Sequence, residues 1–189
     1  MTYSKSALIE IVREHALRFG DFTLASGKKA SYYLDCRQVT LNPDGLQQIA
    51  AGILEAMIHQ FSPDFPDCVG GMAIGADPIT AGIVMLAGQK KMPLRGFMVR
   101  KEAKQHGMGR VVEGPVASGM KCIIVEDVVT SGGSALQAVE AVRAFGIEVL
   151  GVMAVVDRLE GGRAAFEAAG ISLTTLLTIN DFGINVQLS

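Results

Sequence analysis

Cys122-Ile123-Ile124-Val125-Glu126-Asp127-Val128-Val129-Thr130-Ser131-Gly132-Gly133-Ser134 reads as an apolar strand ending in two carboxylates, then a turn rich in hydroxyls and glycine that opens a helix. Such a turn favours an anion. Glycines let the backbone fold tightly against a ligand, hydroxyls add donors, and a helix N-terminus offers N–H groups that lack partners within the helix. A phosphate monoester suits it. The carboxylates just upstream repel an anion but suit sugar hydroxyls or a hydrated Mg²⁺. The segment matches neither GxxxxGK[ST] nor GxGxxG, so neither a Walker loop nor a dinucleotide fingerprint is indicated. A bare TSGGS turn serves equally as an ordinary strand-to-helix connection with a capping hydroxyl. The acidic pair after four apolar residues tips the reading toward a ligand site.

On either side of this segment, short apolar runs alternate with helical patterns. Strands are expected over 69–74, 94–99, 122–125, 149–156 and 173–179, with helices from Pro78, over 134–145 and near 162–169. Nearly continuous apolar strands linked by crossover helices imply an α/β fold whose central, mostly parallel sheet is flanked by helices on both faces. Upstream, Leu8, Ile11, Val12, Ala16 and Phe19 recur at helical spacing over 4–19. Asn42 as cap, Pro43 at the first position and apolar residues every three or four predict a second helix ending near Phe61. Residues 101–119 break the rhythm, being polar, glycine-punctuated and long for a connection.

The chain has 189 residues, 49% hydrophobic and 19% charged, which suits one domain over 1–189 with a real core. Its net charge of −2 argues against a general nucleic-acid binder. That average hides an asymmetry: seven basic residues and one acidic residue fall between Lys90 and Arg110, so this segment is +6 and the rest of the chain −8. Cys36, Cys68 and Cys122 are widely spaced, with neither CxxC nor Cys/His ligand spacing, and fit a reducing cytoplasm. The first residues lead into a charged amphipathic stretch, and no apolar run approaches a membrane span; a soluble protein with no membrane or nucleic-acid partner is expected. His15 and His59 fall on expected helices and read as structural, and the nine methionines read as packing.

Within the basic stretch, Arg100-Lys101-Glu102-Ala103-Lys104-Gln105-His106-Gly107 suits a cationic loop that closes over a diphosphate and excludes water. Taken by composition alone such a charge run is more often a solvated face. The acidic pair with its turn resembles the 5-phosphoribosyl 1-diphosphate (PRPP) motif of type I phosphoribosyltransferases, and the basic segment resembles the catalytic loop of the orotate-using family among them. Residues 22–35, which include Lys28 and Tyr33, resemble that family's N-terminal hood strand and turn. Val155-Val156-Asp157-Arg158 resembles the strand end whose arginine meets the orotate carboxylate, and residues 70–78 lie where the family has its diphosphate-contacting loop.

The resemblance spans roughly residues 4–182 and implies a small N-terminal hood over about 1–40, a mobile catalytic loop over about 100–112, and transfer of a phosphoribosyl group from PRPP to orotate. It implies catalytic roles for Lys104, Arg100, Lys101 and His106. Substrate contacts are implied for Glu126, Asp127, Val129, Thr130, Ser131, Gly132, Gly133, Ser134, Arg158, Lys28 and Tyr33. Mg²⁺ is implied as cofactor, arriving mainly on PRPP near Asp127 or Glu126, and a homodimer with shared active sites is implied as the assembly. Two departures stand out: some members carry lysine at the position of Ala25 and a basic residue near Ala76, which bears on substrate affinity more than on reaction class. Transfer to another base, or a PRPP-binding regulator without catalysis, are the competing readings. The regulator reading expects a decayed basic loop, which this chain does not have.

Overall fold

The computed structural model describes residues 2–23, 29–101 and 111–185. The first helix, α1 (Lys5–His15), is capped by Ser4, whose hydroxyl accepts from the Ala7 N–H at 3.3 Å. It stops short of the expected Phe19 because the chain turns at Ala16 into β1 (Leu17–Thr23), which pairs antiparallel with β2 (Lys29–Leu34). Strand pairing of Leu17 with Leu34 and Phe19 with Tyr32 overrides the helical spacing, and Gly20 falls in the register shift between Phe19 and Phe22. A short α2 (Arg37–Thr40) follows, then α3 (Pro43–Phe61), capped as expected by Asn42, whose Oδ1 accepts from the N–H groups of Asp44 and Gly45.

The remaining elements are β3 (Cys68–Met72), α4 (Ala76–Gln89), β4 (Arg95–Val99), β5 (Val112–Glu113), β6 (Lys121–Val129), α5 (Gly133–Ala144), β7 (Glu148–Asp157), α6 (Gly162–Ala168), β8 (Leu173–Thr178) and a 3₁₀ turn (Ile179–Phe182). They build a six-stranded sheet in the order β5-β4-β3-β6-β7-β8, in which only the β4–β5 pair is antiparallel. Alternation along β6 explains its two apolar faces. Ile123 and Val125 pack with Leu8, Ile53, Ile79 and Ile83 of the α1, α3 and α4 layer, whereas Cys122 and Ile124 pack with Ala138, Val142 and Phe166 of the α5 and α6 layer. All four strand residues are fully buried, each worth roughly 1.5–3 kcal/mol for the larger side chains.

The site is positioned by a reversal in strand order. From β3 the chain moves outward to β4, and β6 then returns to the other flank of β3, so the carboxyl ends of β3 and β6 meet where an open α/β sheet leaves a crevice. Pairing of β3 with β6 ends at Gly70 and Ile124, while β6 stays paired with β7 as far as Val129 and Asp157. The acidic pair therefore lies inside β6, not at its end as the hydropathy suggested. Pairing with β7 holds Glu126 and Asp127 extended despite their charge.

Candidate active site

Glu126 is 6% exposed. Its Oε1 accepts from the Asp127 N–H at 3.3 Å, and its Oε2 is buried without a partner among the described residues. Burial, and then the neighbouring Asp127 charge, push its carboxyl up to about 8. Asp127 is less buried, and its Oδ1 accepts from the Val128 N–H at 2.8 Å. The β3–α4 turn comes close to it: a Cβ on Gly75 would lie 3.1 Å from Asp127 Oδ1. In the first turn of α4, Asp77 has a buried Oδ1 without a partner, and burial raises its carboxyl.

Beyond the pair, β6 gives way to the turn. Gly132 adopts φ +82°, a left-handed conformation that glycine takes at little cost, and no side chain caps α5 there. The first helical bond runs from the Leu136 N–H to the Gly132 carbonyl at 3.0 Å, so the N–H groups of Gly133, Ser134 and Ala135 have no carbonyl within the helix to meet. A cavity of about 130 Å³ lies over them, lined by Glu126 and residues 128–135. The ordinary capped turn is thus set aside. The turn is held from behind: the Arg158 N–H donates to the Val129 carbonyl at 2.9 Å, and the Gly162 N–H to the Thr130 carbonyl at 3.0 Å.

Arg158 follows β7 directly. Its Nη2 lies 2.8 Å from Glu160 Oε1, and its Nε donates to the Tyr32 hydroxyl at 3.0 Å. Tyr33, singled out from the sequence, is 43% exposed, and its ring packs on Phe22 at 5.7 Å between centroids. Successive residues of a strand face opposite ways, so only one of the two tyrosines turns inward, and it is Tyr32. Arg100 and Lys101 line a separate cleft of about 430 Å³ with Asp77 and Glu113, and Arg100 Nη1 is 3.7 Å from Glu113 Oε1. Lys104, His106, Lys28 and Ala25 lie outside the described residues. Tyr32, Glu160 and Asp77 were not singled out from the sequence. Strand alternation says that one of the two tyrosines turns inward but not which; for Asp77 and Glu160 no local pattern points to them.

A parallel sheet that carries an acidic pair and an uncapped helix start at its strand-order reversal, with an antiparallel hairpin beside them, defines a type I phosphoribosyltransferase. Residues 83–183 match the phosphoribosyl transferase domain family. The chain belongs to the orotate phosphoribosyltransferase family of pentosyltransferases. It is 59% identical to the orotate phosphoribosyltransferase of Rhodopirellula baltica over 94% of this chain and 93% of that protein. It is also similar to the crystal structure of the Mycobacterium tuberculosis enzyme in complex with Fe(III) dicitrate, with a TM-score of 0.83 at 38% identity, covering 95% of this chain and 99% of that one. The M. tuberculosis enzyme in complex with PRPP superposes with a TM-score of 0.79 at 33% identity over the same shares. No described helix is long and apolar enough to cross a membrane.

Proposed function

We propose that this chain transfers the 5-phosphoribosyl group from PRPP to orotate, giving orotidine 5′-monophosphate and diphosphate in cytoplasmic pyrimidine synthesis. The observation that carries this reading is the unbonded, buried Glu126 Oε2 set beside the uncapped start of α5, one place for sugar hydroxyls and the next for a phosphate. The N–H groups and hydroxyls over 129–134 would hold the 5-phosphate, and Glu126 and Asp127 the ribose hydroxyls. Arg158 would meet the orotate carboxylate, with Lys28 of a hood over about 1–40 closing on the ring; Tyr33, expected there from the sequence, faces outward against Phe22, and Tyr32 takes the inward place. In the transfer, the bond from the sugar C1 to diphosphate oxygen breaks with its electron pair going to the leaving group. An orotate ring nitrogen bonds to C1 from the opposite face, and the proton it carried passes to the departing diphosphate.

Lys104, supported by Arg100, Lys101 and His106 of a loop over about 100–112, would neutralise the departing charge. The protein thereby contributes positioning and electrostatics, and no covalent enzyme nucleophile is required. Mg²⁺ would arrive mainly on PRPP, with the carboxylates of Glu126 and Asp127 beside it. When bound, Mg²⁺ would screen the diphosphate charge.

Purified protein is expected to form orotidine monophosphate only when orotate, PRPP and Mg²⁺ are all present. Uracil, adenine and hypoxanthine in the same assay distinguish another base preference, and no turnover with any base would leave only a PRPP-binding protein. Lys104→Ala should lower kcat by about 100-fold or more with little change in Tm; near-parental turnover would remove Lys104 from the reaction. The proposed homodimer shares its sites between subunits. A Lys104→Ala subunit mixed with an Asp127→Asn subunit should therefore regain activity, whereas failure to regain it despite subunit exchange would place each site within one chain.

A further inference from the structure

Outside the phosphate turn, a charged cluster joins the hairpin to the central sheet. Arg158, with its side chain 15% exposed, lies against Tyr32 of β2, its Cζ 5.0 Å from the ring centroid. Tyr32 is itself only 7% exposed. Three polar contacts close a ring: Arg158 Nε donates to Tyr32 Oη at 3.0 Å, Tyr32 Oη donates to Glu160 Oε1 at 3.3 Å, and Arg158 Nη2 reaches the same Glu160 oxygen at 2.8 Å.

A guanidinium presents two edges to a pair of oxygens: a side edge made of Nε and Nη2, and an end edge made of Nη1 and Nη2. Tyr32 and Glu160 occupy the side edge. The end edge keeps one hydrogen of Nη1 and one of Nη2, and Nη1 has no partner among the described residues. A planar carboxylate matches that edge with two parallel bonds. Exposed ion pairs contribute little, and Glu160 is itself exposed, but the Arg158 side chain is largely shielded and tied to a buried tyrosine, so the pair fixes which edge of the cation faces outward.

We propose that Tyr32 and Glu160 are positioning residues that clamp the side edge of Arg158 and so present its end edge to the carboxylate of the acceptor base. The inference rests on the reading of Arg158 as the orotate contact. It adds a coupling: because Tyr32 belongs to the hairpin and Glu160 to the loop after β7, recognition of the carboxylate depends on the hairpin being docked. Glu160 also neutralises a shielded cation before any substrate arrives.

The test compares Arg158→Ala, Tyr32→Phe, Glu160→Ala and Glu160→Gln by steady-state kinetics. Tyr32→Phe and Glu160→Ala should each raise the KM for orotate by about tenfold, with the KM for PRPP and Tm close to parental values. Glu160→Gln keeps an acceptor at the same place and should recover most of the loss. In an Arg158→Ala background neither Tyr32→Phe nor Glu160→Ala should cause further loss, since they act through the guanidinium. If Arg158→Ala raises the orotate KM while Tyr32→Phe and Glu160→Ala leave it within about twofold, the clamp is overturned and the reading of Arg158 stands. Further loss on top of Arg158→Ala would also overturn the clamp. An unchanged orotate KM in Arg158→Ala would remove the reading and the clamp together.

Discussion

Glu126→Gln is expected to lose about 100-fold in kcat/KM for PRPP and yet to melt at a higher temperature than the parent at pH 8. The two effects share one cause, a carboxylate held almost out of water with one oxygen unbonded. Burial and Asp127 raise its folded-state pKa from 4.5 to about 8, so the folded protein holds this proton more tightly than the unfolded chain does. Its stabilising contribution is complete below about 4.5. It declines as pH rises, because the unfolded chain ionises first, and it is gone above about 8. Thermal melts at pH 5 and pH 8 should therefore show a larger fall in Tm for the parent than for the glutamine variant. Equal falls would mean that the carboxylate is not strained by its surroundings. Unchanged PRPP kinetics would mean that it does not touch the sugar.

Gly71→Ala is expected to destabilise the fold by about 3 kcal/mol or more, enough to lose most soluble protein. Gly71 lies in β3 with β4 on one side and β6 on the other. A methyl group there would collide with the Val125 carbonyl oxygen and come within 2.7 Å of Ala76 Cβ. The first obstacle is main chain of β6, so relief requires β3 and β6 to part just beneath Glu126. Gly88→Ala in α4 is the control: nothing lies within 4 Å of the added carbon, and removing a helical glycine should stabilise by about 0.5–1 kcal/mol. Urea melts of both variants measure the contrast, and a Gly71→Ala protein of parental stability would show that the strands can separate there at little cost.

The central sheet was legible because its strands are buried on both faces and read as unbroken apolar runs; 122–125 and 149–156 are examples. α3 was legible to its boundaries, since Asn42 and Pro43 mark one end and Pro63 follows the other. What escaped depends on pairing, which is non-local. The spacing of Ala16 and Phe19 continues a helix, yet both leave it once β2 offers a partner to β1. Judged by hydropathy the strand stops at Glu126, but Ala154 and Val156 across from it keep it extended. The two-residue β5 and four-residue α2 carry too few positions to show a period. Within the site, the acidic pair and turn were legible as chemistry. Choosing Tyr32 over Tyr33 required knowing which face of the hairpin meets Arg158.

The early end of β3–β6 pairing also bears on self-association. Every open sheet has outer strands whose unpaired backbone groups invite another chain to add itself, with fibrils as the extreme result. β6 offers such groups in the middle of the sheet, above Ile124, yet Asp127 Oδ1 takes the Val128 N–H and the Gly75 turn stands against the same carboxylate. The carboxylate and the turn thus stand where a polypeptide edge would pair, and the cavity beside them, about 130 Å³, is of small-molecule size. Backbone that would be an aggregation hazard on the rim becomes, three strands in, the wall of a ligand site.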